Sequence, residues 1–93
     1  MEIPARALSL AGFRPNPAIG TATLAFSLPD DRPARLEVID VKGQVVRSRD
    51  VGSLGGGSHI LSLAGEVPLR AGMYWIRLTH PERTLTAKGL VLR

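Results

Sequence analysis

An all-β sandwich is the fold that this chain of 93 residues predicts, on three observations. Apolar residues recur with period two along nearly every patterned stretch, the spacing of a strand with one buried face. Turn chemistry interrupts these stretches at roughly ten-residue intervals. No stretch carries the periodicity of an amphipathic helix.

Residues 7–13 read as a first edge strand. Pro15 and Pro17 then fix two φ angles and remove two donors, while Asn16 can bond nearby backbone, so Pro15, Asn16 and Pro17 form an extended hinge. Residues 1–14 are accordingly expected to be an N-terminal edge strand and linker from an upstream domain, with residues 15–93 as the domain proper. Ala22, Leu24, Phe26 and Leu28 alternate with Thr21, Thr23, Ala25 and Ser27, and the loop Pro29-Asp30-Asp31-Arg32-Pro33 ends that strand. Ala34, Leu36 and Val38 alternate with Arg35 and Glu37, and Lys42-Gly43 is a tight hairpin turn into residues 44–49.

Residues 52–58, with glycine at 55, 56 and 57, read as a flexible connection in which no helix fits, before a short strand over 58–63. Residues 64–71 are a turn-rich link containing Gly65 and Pro68. In the next strand Tyr74, Ile76 and Leu78 share one face, and Met73, Trp75, Arg77 and Thr79 the other, which puts Trp75 outside. His80-Pro81-Glu82-Arg83 makes the last turn, and residues 84–92 close the sheet with Leu85, Ala87, Leu90, Val91 and Leu92 available for packing. About seven short strands without a helix suit an immunoglobulin-like antiparallel β-sandwich. The sequence has no cysteine, so packing alone must hold it, without the disulfide of antibody domains.

Composition excludes several classes. At 44% hydrophobic and 22% charged, the chain is globular rather than disordered. No run approaches the roughly 20 apolar residues of a transmembrane segment, and residues 1–10 lack the organisation of a signal peptide, so an exported chain of this kind is a piece of something longer. The net charge of +4 invites a nucleic-acid partner, but the arginines are scattered and four aromatic residues make no stacking platform, so none is expected.

Candidate chemistry is sparse. His59 and His80 have no partners at metal-ligand spacing and read as strand-end or turn residues. Ser58, His59 and Asp40 can be written as a triad, yet neither a nucleophile elbow nor an oxyanion-hole motif accompanies them. Asp30-Asp31 reads as loop chemistry, and Gly55-Gly56-Gly57 lacks the Lys-Ser/Thr and helix of a phosphate-binding loop. No catalytic residue, metal or cofactor is expected.

Six stretches in register resemble one family: Pro15-Asn16-Pro17, Phe26-Ser27-Leu28-Pro29, the run from Val38 through Asp40 and Gly43 to Val46, Gly57-Ser58-His59, Leu69-Arg70-Ala71-Gly72-Met73-Tyr74, and Lys88-Gly89-Leu90-Val91-Leu92. Together they are similar to the C-terminal sorting domains of type IX secretion substrates and to the immunoglobulin-like domain of flagellar hook-capping proteins. The resemblance implies a non-catalytic domain behind a secreted or cell-surface bacterial protein. Its partners would be the outer-membrane secretion machinery and an upstream cargo domain of the same polypeptide, met by way of the periplasm. Recognition would fall on Lys88, Gly89, Leu90, Val91, Leu92 and Arg93, with an edge strand able to add to a partner's sheet. Gly89 stands where the family often has a second basic residue. Two other readings are a structural accessory or spacer module beside a secreted enzyme, and a carbohydrate-binding module using Trp75 as a stacking platform.

Overall fold

The strand carrying Tyr74, Ile76 and Leu78 is the centre of the fold. In a computed structural model that describes residues 8–13, 18–19, 23–62 and 69–92, this strand, β7 (Gly72–His80), pairs antiparallel with β4 (Arg35–Ile39) on one edge and β8 (Arg83–Leu92) on the other. Strand β5 (Val45–Asp50) extends the sheet beyond β4, and the two residues of β2 (Ala18–Ile19) lie parallel to the end of β8, giving the order β2-β8-β7-β4-β5. The facing sheet holds β1 (Ser9–Phe13), β3 (Thr23–Leu28) and β6 (Gly57–Ser62) in the order β1-β3-β6. The architecture is the expected antiparallel immunoglobulin-like sandwich, with β2 as an addition that two residues of pattern cannot announce.

Burial follows the alternation in β4, β7 and β8, whereas in β3 Ala25 and Ser27 of the other face are buried as well. Leu24 and Leu28 from one sheet meet Leu36, Val38, Ile76, Leu78 and Val91 from the other, all essentially without solvent contact, and Val51 closes one end. Tyr74 is buried with them, and its hydroxyl donates to the Arg70 carbonyl at 2.7 Å. This is the tyrosine corner of immunoglobulin-like folds, in which a ring fills the core while its polar tip ties the incoming loop to the strand.

Two glycines in the left-handed region shape strand ends. Gly43, at φ +84°, completes the hairpin between β4 and β5, where the Asp40 carboxylate accepts the backbone N–H groups of Lys42 and Gln44 at 2.9 Å each. Gly12, at φ +83°, sits in a bulge of β1: Leu10 pairs with Phe26 and Gly12 with Ala25, leaving Ala11 as the extra residue. Strict alternation from Leu8 and Leu10 would turn Phe13 outward. The bulge shifts the parity, and Phe13 is buried at 2% exposure. β1 thus lies at a sheet edge and contributes Phe13 to the core, together with Leu8 just before it, although both precede residue 15.

The structure departs from expectation at residues 52–54, where the glycine-rich connection forms one turn of 3₁₀ helix, Gly52–Leu54. The Val51 N–H is held by the Ala34 carbonyl at 2.9 Å, and Gly52 lies so close to the backbone of Arg32 to Ala34 that a Cβ there would collide with it. The chain is forced to turn at that contact, bonding Leu54 N–H to Val51 O at 3.0 Å. Expectations for Thr21, Ala22 and residues 63–68, including Gly65 and Pro68, lie outside the described residues.

Two substitutions measure these contributions by chemical denaturation. Ile76→Ala, which empties the centre of the core, is expected to cost about 2–5 kcal/mol. Tyr74→Phe, which keeps the ring and deletes the bond to Arg70, is expected to cost about 1 kcal/mol.

Candidate functional site

Strand β8 is ten residues long, and its alternation divides the candidate recognition residues into two sets. Gly89 and Val91 point into the sandwich, Val91 at 0% exposure, while Lys88, Leu90 and Leu92 are exposed on the outer face of the sheet. Leu90 and Leu92, expected to be available for packing, are thus packed on nothing within the core, because only every second residue of a strand can reach it. Arg93 and the hinge residues Pro15, Asn16 and Pro17 lie outside the described residues. In sequence the hinge stands between β1 and β2, which belong to opposite sheets.

Register gathers further side chains onto that outer face. Trp75 lies directly opposite Lys88, Met73 opposite Leu90, and Ile39 opposite both Trp75 and Val45. Val45, Met73, Leu90 and Leu92 are 46, 40, 37 and 41% exposed, so the half of the face nearest the end of β8 is largely apolar, with Lys88 among it. Trp75 is half-buried within this strip rather than standing clear of it. The other half is polar. Arg77 bonds Glu37 Oε1 through Nε at 3.0 Å and Nη2 at 2.8 Å, Arg35 pairs with Asp50 at 3.3 Å, and Thr79, Thr84 and Thr86 fill the remaining positions. These side chains form an exposed apolar strip on the outer face. Spacing shows only that Trp75 and Lys88 face the same way on their own strands; adjacency needs the pairing of β7 with β8.

Gly89 has a different role. A Cβ at this position would fall inside the ring of Phe13, which lies across the strand. The ring in turn meets Tyr74 edge-on, at a centroid separation of 6.4 Å and an interplanar angle of 70°.

The residues of the paper triad do not converge. Ser58 and His59 are successive on β6 and face opposite sides, and the Asp40 carboxylate is occupied by its hairpin turn. His59 packs its ring against Phe26 at 5.6 Å and donates from Nε2 to the Gly55 carbonyl at 2.7 Å, the strand-end role its position suggests. Among the described residues, no three of His, Cys, Asp and Glu are grouped to hold a metal ion, and no helix is long and apolar enough to cross a membrane.

His80 and Asp30, each assigned separately to turn chemistry, are brought together. The His80 side chain has no solvent exposure; its Nδ1 accepts the Glu82 N–H at 3.0 Å, so Nε2 carries the proton and donates to Asp30 Oδ1 at 3.0 Å. Arg32 bonds the other oxygen of Asp30 at 2.7 Å and reaches Glu82 at 3.0 Å, closing a link between the β3–β4 loop and the β7–β8 hairpin. The separation of fifty positions between Asp30 and His80 hides this contact from any local motif.

The bond from His80, with smaller contributions from Arg32, holds the Asp30 carboxyl at about 2, below its ordinary value of 3.8. A carboxyl lowered on folding stabilises the fold above its unfolded value, and that contribution is lost as pH falls from there through the folded value. Asp30→Asn is therefore expected to melt below the unsubstituted protein near about pH 5, with the gap closing toward about pH 2, as thermal melts across that range will read.

No curated protein matches the chain. The family described as Secretion system C-terminal sorting domain matches residues 13–92, a span that begins at the ring covering Gly89 and ends with the last residue of β8. With this match over most of its length, and with the sandwich and tyrosine corner in place, the chain belongs to the type IX secretion C-terminal sorting domain family.

Proposed function

We propose that this chain is the non-catalytic delivery domain of a larger bacterial protein. It directs an upstream cargo domain of the same polypeptide from the periplasm through the outer-membrane secretion machinery to the surface or medium. The observation that carries this reading is the family match, which runs to the end of β8. The machinery reads the outward residues Lys88, Leu90 and Leu92 together with Met73 and Trp75 beside them. Gly89 and Val91 support the strand from inside while the domain is folded. Because β1 already belongs to the sandwich, Pro15, Asn16 and Pro17 act as a hinge between β1 and β2, and the cargo joins the chain ahead of β1.

The test is secretion of a folded fluorescent reporter carrying a signal peptide and residues 1–93 in a type IX-competent bacterium. Point substitutions are preferable to truncating β8, because Val91 is part of the core and a shortened chain would fail by unfolding. The double variant Leu90→Ser/Leu92→Ser should keep the melting temperature and lower surface or medium reporter by about tenfold or more, the loss equivalent to about 1.4 kcal/mol of recognition. Thr84→Ala, on the polar half of the same face, should be exported normally. Equal export of the double variant would overturn the assignment of these residues. A folded, unsubstituted fusion retained in the periplasm would give the spacer reading the lead.

A further inference from the structure

Three fastenings hold the last residues of β8. On one edge, Gly89, Leu90 and Val91 pair with Tyr74, Met73 and Gly72 of β7. On the other edge, Val91 and Leu92 pair in parallel with Ala18 and Ile19 of β2. Across the inner face, the Phe13 ring fills the notch left by Gly89. The second and third come from Phe13, Ala18 and Ile19, close in sequence but on β1 and β2 of opposite sheets.

Phe13 and Ala18 are buried, but the two strands that carry them have little backbone pairing of their own. β1 is an edge strand of five residues whose pairing with β3 is interrupted by the bulge, and β2 is two residues long. Short edge segments are the first to open in a folded domain, at free energies well below global unfolding. Opening here would bare the inner side of Gly89 and free the outer edge of Val91 and Leu92. The freed edge is a backbone surface to which an added strand could pair, whereas the bared side of Gly89 is a face open to apolar contact only.

We propose that β1 and β2 form a clasp: the N-terminal segment locks the terminal strand, and its release loosens residues 89–92 while the rest of the sandwich stays folded. Phe13 is the latch and Gly89 its seat. Tension or a partner acting on the chain ahead of β1 would then be felt at the end of β8, because β1 and β2 both meet that strand. That this coupling gates export rests on the sorting function proposed above; the mechanical coupling itself does not.

Hydrogen exchange on the full chain tests it. Phe13→Leu retains an apolar side chain and keeps the domain folded while shrinking the latch, and Gly89→Ala expels the ring from its seat. Both variants should accelerate exchange at residues 89–92 by about tenfold or more, with β3 and β4 changed much less, since local opening then becomes distinct from global opening. Unchanged exchange at 89–92 in both variants, or equal acceleration in every strand, would overturn the clasp. Exchange is read on the isolated protein, so loss of export in the secretion assay without these exchange changes would count against the sorting residues and not be mistaken for the clasp.

Discussion

The inner face of β7 is the constraint on which the rest of the domain depends. Tyr74, Ile76, Leu78 and His80 lie on one side of a single strand, and each is buried. Because β7 is hydrogen-bonded along both edges, its position fixes β4 and β8, and the two aliphatic residues fix the separation of the sheets. Tyr74 at one end and His80 at the other tie this strand to its incoming loop and to the β3–β4 loop through polar bonds. A small domain without disulfides concentrates its stability in this way, since it has one core and no covalent reserve.

The same alternation that builds the core creates the exposed strip. A strand cannot bury Ile76 without turning Trp75 and Arg77 outward, nor bury Val91 without exposing Leu90 and Leu92. On β4 and β7 the outward charges of Arg77 and Glu37 pair, with the Glu37 side chain only 13% exposed, and this half of the face stays polar. Toward the end of β8 the outward residues are apolar and partly exposed. The folded state is therefore compatible with recognition at residues 88–92, because the outward side chains are already presented.

Gly89 joins these two aspects. As a residue without a side chain it gives nothing to a side-chain contact, and its value lies in the room it leaves for Phe13. The bulge at Gly12 is what brings that ring to the inner face at all, so a positive φ in the first strand and a missing Cβ in the last are two halves of one packing solution.

The sequence by itself determined what is local. Period-two alternation in Leu24, Phe26 and Leu28 or in Tyr74, Ile76 and Leu78 identifies the buried faces, Asp40 through Gly43 identifies the hairpin, and His80-Pro81-Glu82-Arg83 identifies the last turn, because a strand face and a tight turn are set by neighbouring residues. The tertiary structure alone decided which strands share a sheet, the pairing of Ala18 and Ile19 with Val91 and Leu92, the bond between His80 and Asp30, and the ring of Phe13 on Gly89. Each of these joins residues dozens of positions apart. Two residues show no period, a lone histidine carries no partner in its own neighbourhood, and the empty space beside a glycine is defined only by what folds against it.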